Sequence, residues 1–429
     1  MFLKSKESEY ITHDFTSMIQ IVILNSTGFY FLEFLIQYFT SQQLGASGLQ
    51  IGLIYSILVV GHILSSTFVG WLTDRVKSKT LLILIGSFGR GISYFIIYIS
   101  ILLRNISLIG VGMFTLGFFA GFFWIPFDTL IAEKSAKDVR SYAYGRRDYA
   151  IGIGIFIGSV IGFTIFGILN ILIPDNLALV YIGILIFGLS NFVAGIAFLR
   201  NVNEDIKYSE DSPEVESEIN QKETKNTHIH FYIGLIFLLF ALLFSNINGS
   251  LAKPFLNVYV LENIESNPIL AVMGFLPGYI ISFLIAPKVG NRIDKIKPST
   301  GITISSLLGA LFTFFLISTK NLWVFSIILI FDYTIINSAN LVLNNFLSRI
   351  SLKHRGKILS LNSMCKNLGN FTGPIIGGLV WDLMGIKAPF IISIFVELTI
   401  IPIYLISIFY LQPHLTEKYE PKESIVETV

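Results

Sequence analysis

GWLTDRVKSK, residues 70–79, sets one aspartate and three basic residues between two long apolar runs, and GNRIDKIK, residues 290–297, does the same. The correspondence is positional: Gly70, Asp74 and Arg75 return as Gly290, Asp294 and Lys295, each displaced by 220. A second set repeats independently, with Arg140, Gly154, Gly158 and Gly162 returning as Arg355, Gly369, Gly373 and Gly377, each displaced by 215. Glycine is frequent in membrane helices and carries little alone. Two sets with constant offsets, each including charge, indicate an internal duplication. Repeated bundles are a transporter architecture, with the site between the halves near the midplane.

On both sides of these loops the chain is apolar. Twelve runs, at roughly 15–40, 46–72, 80–103, 106–132, 147–172, 177–199, 229–260, 267–289, 298–319, 321–348, 358–384 and 388–411, reach the ~20 residues that span a bilayer as a helix. Lipid forces each run to satisfy its own backbone, and runs this long suit helices, not ~10-residue barrel strands. Of 429 residues, 53% are hydrophobic and 14% charged, against about 25% charged in a soluble domain. A soluble enzyme, a secreted scaffold and a disordered chain are thereby excluded. A net charge of +2 gives no case for nucleic acid. One cysteine, Cys365, permits no internal disulfide and leaves the redox compartment open, and six scattered histidines offer no zinc spacing. The polar start MFLKSKESEYITHD precedes a run too long for a signal-peptide core and without a small-residue cleavage site, so that run is expected to stay.

Basic residues orient the chain. With the N-terminus in the cytoplasm, inner loops and tails hold 24 of the 30 Lys and Arg. Outer loops hold only Arg104, Lys320 and Lys387, while Arg90, Lys253 and Lys366 lie within spans. This is the positive-inside imbalance, and an even number of spans returns the C-terminus to the cytoplasm. Residues 200–228 carry eight acidic and four basic residues and no aliphatic cluster, and read as a flexible cytoplasmic linker. The expected organisation is a cytoplasmic tail (1–14), a six-helix bundle (15–199), the linker (200–228), a second six-helix bundle (229–411) and a second cytoplasmic tail (412–429).

GWLTDRVKSK resembles the loop 2–3 signature of the major facilitator superfamily, a Gly-x-Leu-x-Asp-Arg core followed by basic residues, and GNRIDKIK resembles its weaker second copy. RGKILSLNSMCKNLGNFTGPIIGG (355–378) is similar to the family's run into helix 11, and the likeness extends from about residue 15 to 411. The resemblance implies an all-α membrane protein of twelve helices in two pseudo-symmetric six-helix bundles, around a cavity that opens alternately to each side. There are departures. Val76-Lys77-Ser78-Lys79 lacks the Gly usual after the Asp-Arg pair. GIFIGSVIGF (154–163) resembles the antiporter-associated signature of helix 5, but has Ser159 for Pro and Phe163 for the last Gly. It lends mild support to export.

The loop motif reads as a conformational latch. Asp74 can accept from a neighbouring helix N-terminus, such as that of span 11. Arg75 can pair with Glu133, and Arg140 with Asp74 or Glu133; Asp128 lies near the inner mouth. The other reading is of loop charges that serve topology and solubility, and an exposed pair is worth only about 0–1 kcal/mol. Gly154, Gly158 and Gly162, like Gly369, Gly373 and Gly377, form a smooth stripe for close helix contact, either sliding or static. Pro374 is expected to bend span 11.

Ionisable groups within spans are the sharpest chemical sign, because charge at membrane depth is costly unless paired or hydrated. They are Glu33, His62, Arg90, Asp128, Lys253, Asp332, Lys366 and Glu397. In the family, helices 1, 4, 7 and 10 line the cavity, which implies Glu33 and Asp332 as cavity carboxylates. A carboxyl in such a desolvated site can take a proton outside and release it inside, and the alternative is buried structural pairing. Lys366 is a candidate to neutralise Asp332, and Arg90 to brace a neighbouring span. Asn25, Asn246, Asn248, Asn337 and Asn340, with Trp124, are candidate contacts for a solute; Asn337, Asn340 and Asn344 share one face. Amides serve equally as helix glue.

The function expected is secondary active transport of a small organic solute by alternating access. Acidic candidates and the partial helix 5 signature lean toward proton-coupled export of an amphipathic or cationic compound. Proton-symport uptake of a sugar, organic acid or other metabolite is the alternative, and a non-transporting sensor on the same scaffold is remote. No Walker-type Gly-Lys loop, HExxH or Ser-His-Asp set appears. Neither ATP drive nor an enzyme is therefore indicated, and no metal or cofactor is expected beyond a proton gradient. The expected partners are the lipid bilayer and a small-molecule solute, without nucleic acid. The chain is expected to act as a monomer in the plasma membrane, the default for a chain without organelle signals.

Overall fold

In the computed structural model, residues 10–76, 78–136, 140–208, 228–293, 297–350 and 355–415 are described. Fifteen α-helices follow one another among them. In the first half they are α1 (Phe15–Ser26), α2 (Phe29–Tyr38), α3 (Gly48–Arg75), α4 (Lys79–Leu102), α5 (Ile106–Glu133), α6 (Arg140–Leu172), α7 (Leu177–Val180) and α8 (Ile182–Asn201). In the second half they are α9 (His228–Leu251), α10 (Lys253–Asn263), α11 (Pro268–Ile293), α12 (Pro298–Ser318), α13 (Leu322–Ile350), α14 (Arg355–Met384) and α15 (Ala388–Leu411). Ten helical stretches among the described residues are long and apolar enough to cross a membrane. The more polar α14 and the incompletely described α11 supply the remaining two of the twelve spans.

The helix starts follow from local chemistry. Ser78, Asn105 and Asn176 each cap a helix by accepting from the backbone N–H three residues on. Proline stands in the first turn of α10, α12 and α15, where its missing N–H costs nothing. Two spans are interrupted. The first breaks at Thr27–Gly28, where Gly28 takes φ +79° and any β-carbon would run into Phe187. The seventh breaks at Ala252, between α9 and α10.

The chain divides into two compact units, one of residues 1–46 and 53–218, the other of 47–52 and 219–429. In the first, α4 packs along α5 and α8, and α1 along α6 and α8. Its core joins Phe15, Val22, Ile83, Phe123, Phe127 and Phe198. In the second, α9 packs on α14 and α15, α12 lies against α13 and α15, and α11 lies against α13. Its core joins Leu238, Leu242, Phe346, Tyr404 and Ile408. This second unit takes in the start of α3, where the Gly48 and Leu49 amides donate to the Asp382 carboxylate at 2.7 and 2.9 Å.

The two glycine stripes have matching partners. In the first unit, Gly154, Gly158 and Gly162 of α6 face Ile23, Thr27–Gly28 and Phe31, the residues around the first break. In the second, Gly369, Gly373 and Gly377 of α14 face Asn246, Ile247 and Leu251, just before the second break. Pro374 lies inside α14, and its carbonyl fills the space beside Gly52.

Candidate functional site

The second unit holds a buried acidic cluster. Asp332 of α13 is 7% exposed, and the Glu397 carboxylate of α15 lies within electrostatic reach. The Asn248 amide of α9 donates to Glu397 Oε2 at 2.8 Å, and the Ser306 hydroxyl of α12 also donates to Glu397. Four helices thus converge on two carboxyl groups. No ion pair joins a basic side chain to either acid among the described residues. Lys366, expected as the neutralising partner of Asp332, is exposed on α14, and the charge beside Asp332 is that of Glu397.

The first unit holds a buried cation instead. Arg90 of α4 is 3% exposed. One guanidinium nitrogen donates to the Asn25 side-chain oxygen, and the other donates to the Asn25 carbonyl at 3.2 Å. The Asn25 amide donates in turn to Ser87 and Asn191, at 3.3 and 3.2 Å. Asn25 belongs to the last turn of α1, whose carbonyls the break at Gly28 deprives of helical partners. Ser190 and Thr27 hydroxyls take up the Leu24 carbonyl, both at 2.7 Å, and Arg90 takes up that of Asn25. A cation at a helix C-terminus also complements its dipole. Arg90 therefore caps an intramembrane helix end, and Asn25, read from sequence as a solute contact, lies fully buried in that cap.

The charges expected at the inner ends of the spans pair differently from the sequence expectation. Arg75 stacks over the Trp71 ring at 4.3 Å, while Glu133 accepts from Lys79 at 2.6 Å and lies 3.5 Å from Lys207. The nearer lysine at the start of α4 thus takes the place expected of Arg75. Asp128 pairs with Arg147 at 2.5 Å, and Arg147 also pairs with Asp148 at 2.8 Å. Asp294 and Lys295 lie outside the described residues, and the side chains of Asp74, Arg140 and Arg355 are likewise outside the description, as is the environment of Gly290. Gly70 has open space around it.

A further charge centre there is one the sequence reading missed. The Lys134 ammonium, with no solvent exposure, donates to Asp14 Oδ2 at 2.7 Å and to the carbonyls of Asn203 and Ile206 at 2.6 and 2.9 Å. Burial pushes the Asp14 carboxyl up, but donation from Lys134, Thr12 and the Asn203 amide outweighs it and holds Asp14 below its ordinary value. Tyr208 N–H donates to the Glu133 carbonyl, and Thr80 N–H to Glu204. Residues 200–208, read as the start of a flexible linker, are therefore tied to the bundle. A lysine after α5 gave no periodic signal, because its acceptors are carbonyls and a carboxylate distant in sequence.

Of the remaining candidates, Glu33 is half-buried on α2, and its carbonyl accepts from the Tyr55 hydroxyl at 3.0 Å. Trp124 meets Phe123 and Phe127 edge-on. Asn246 donates to the Leu242 carbonyl, one turn back. Asn337 is half-buried and Asn340 exposed on α13.

The model of the Major Facilitator Superfamily matches residues 19–351. The chain is 23% identical over 371 residues to the quinolone resistance protein NorA of Staphylococcus aureus (strain COL), covering 85% of this chain and 89% of that protein. It is 26% identical over 301 residues to a multi-drug resistance efflux pump PmrA homolog of Lactococcus lactis subsp. lactis (strain IL1403), covering 67% and 68%. Among solved structures, the nucleoside transporter NupG is similar in fold, with a TM-score of 0.66, 12% identity, and coverage of 92% and 97%. A bacterial homolog of the human lysosomal transporter Spinster, inward-facing and occupied, has a TM-score of 0.64, 12% identity, and coverage of 93% and 94%. With the family model spanning most of the chain, a duplicated loop motif and a twelve-span helical fold, this chain belongs to the Major Facilitator Superfamily and is a multi-pass membrane transporter of small-molecule solutes.

Proposed function

We propose that the chain exports a small amphipathic or cationic organic compound in exchange for protons, as a monomer in the plasma membrane with both termini cytoplasmic. The observation that carries this reading is Asp332, buried in a membrane span with a second carboxylate as its neighbouring charge. Such a group gains most by binding a proton, because charge at membrane depth is costly unless paired or hydrated. A proton taken by a carboxylate from the outer side and released to the inner side returns the site to its starting charge. Each cycle can then move one solute outward. The efflux-pump name of the PmrA homolog supports the direction, the quinolone-resistance name of NorA is consistent with it, and the mild helix 5 signature agrees. Glu33 is the second proton candidate, on the family's cavity-lining helix 1.

The test is flux of a fluorescent organic cation, ethidium, in proteoliposomes under an imposed pH gradient. The wild type drives uptake into vesicles that are acidic inside, with the protein's cytoplasmic face outward. Dissipating the gradient stops it, and Asp332→Asn reduces gradient-driven flux to the protein-free background. Equal flux with and without the gradient, or an undiminished rate in Asp332→Asn, would rule the exchange out. Glu33→Gln, tested alongside, decides whether one carboxyl or two are needed.

A further inference from the structure

Asp332 and Glu397 are both acids, but their surroundings differ. Glu397 accepts two hydrogen bonds, from the Asn248 amide at 2.8 Å and from Ser306. Donors of this kind stabilise an ionised carboxylate. Asp332 is 7% exposed and receives no hydrogen bond among the described residues. Gly309 on α12, facing both Glu397 Oε1 and Ile335 of α13, leaves the space in which the α15 carboxylate reaches the face of α13 carrying Asp332. Two carboxylates in one apolar site do not both ionise at neutral pH, and their environments decide which one keeps the proton.

We infer that Glu397 is a positioning residue for the coupling proton: it retains its charge on two donors, and Asp332, which has none among the described residues, carries the single proton that the two carboxyl groups share. The step is balanced, with one proton bound to an Asp332 oxygen from one side of the membrane and the same proton released to the other. Glu397 stays ionised throughout. This deepens the proton-exchange reading and rests on it for its place in transport.

The other groups around the pair do not provide the missing positive charge. α12 has no ionisable residue. α9 has only His228, His230 and Tyr232, at its far end. α14 contributes buried Cys365 and exposed Lys366, and α15 contributes Tyr404, within reach of Glu397. On α13 itself stand Tyr333, one residue on, and Arg349, about five turns away. The side chains of Tyr279, Lys288 and Arg292 on α11 fall outside the description. Asn248 Oδ1 is buried with no partner among the described residues, so the amide's stake in the site is its bond to Glu397.

Infrared titration of the purified protein reads the C=O stretch of a protonated carboxyl group without any solute. The wild type is expected to show such a band, lost as pH rises. Asp332→Asn removes it. Glu397→Gln keeps the band but loses it at a pH lower by about one unit or more, because the neighbouring negative charge is gone. Asn248→Leu moves the midpoint the opposite way, because the pair's remaining charge loses a donor; it carries the test alone should Glu397→Gln not fold. Gradient-driven ethidium flux in Glu397→Gln has its pH optimum displaced to the acid side. A band that survives Asp332→Asn, or a midpoint unmoved by Glu397→Gln, overturns the inference. An intact titration without gradient-driven flux supports the pair and overturns the exchange reading instead.

Discussion

Lys134 is fully buried at the C-terminal end of α5, and its charge is met by Asp14 and two carbonyls. Removing one partner of such a pair leaves an uncompensated buried charge, which costs about 3–5 kcal/mol. Asp14→Asn is therefore expected to lower the melting temperature of the purified protein by several degrees, and Lys134→Met to do so no less. The pH dependence has a definite sign. The folded Asp14 carboxyl titrates below its unfolded value, so its contribution is complete above about pH 4 and fades as pH falls further. Melting curves at falling pH should show the wild type losing stability faster than Asp14→Asn, so that the two converge in acid. A constant gap between them would show that Asp14 does not act through its charge. None of this was legible in sequence, because the partners lie more than a hundred residues apart in the Lys134–Asp14 bond. Arg90 was legible as an anomaly, a cation on a peripheral span. Its use as a cap was not, because the cap depends on a break in another helix.

The glycine stripes show what spacing reveals about an element and what it leaves open. Recurrence every fourth residue marks one smooth face on α6 and on α14, and that much was plain. The residues those faces meet were hidden, because Gly28 reads as an ordinary membrane glycine until its φ is seen. A β-carbon at Gly158 would run into the Gly28 amide and the Thr27 backbone, whereas one at Gly152 meets open space. Backbone gives way less readily than a side chain, so overpacking here costs about 1–3 kcal/mol. Gly158→Ala should lower the melting temperature clearly, and Gly152→Ala should leave it within error or raise it slightly through helix propensity. Equal effects would mean that the α6 stripe does not hold the broken span. Phe163, a departure from the family's glycine, packs on the same broken span: it stands edge-on to Phe31 and Phe34, with centroids 5.1 and 5.3 Å away. A side chain in place of glycine is accommodated there by an aromatic pocket.

At the scale of the whole molecule, the sequence carried the fold because lipid permits few solutions. Twelve apolar runs, a duplicated loop and the placement of basic residues leave a two-bundle transporter, and the family match agrees. The same physics predicts the orientation. Translocating Lys and Arg is costly, and with the N-terminus in the cytoplasm 24 of the 30 are expected on the inner side. The cytoplasmic placement of the linker can be tested against that imbalance by side-specific labelling. The native background is low, since the one cysteine, Cys365, is buried. A cysteine at Ser217, in the linker, should react with a membrane-impermeant maleimide in inside-out vesicles and stay unlabelled in intact cells. A cysteine at Asp175, between α6 and α7, should do the reverse. Labelling of both from the same side would require an even number of crossings between them, where the twelve-span order has one, the span of α8. It would break the assignment of inner and outer loops on which proton direction depends. Opposite-side labelling fixes which loops face the cytoplasm, the side to which the proposed exchange would deliver its proton.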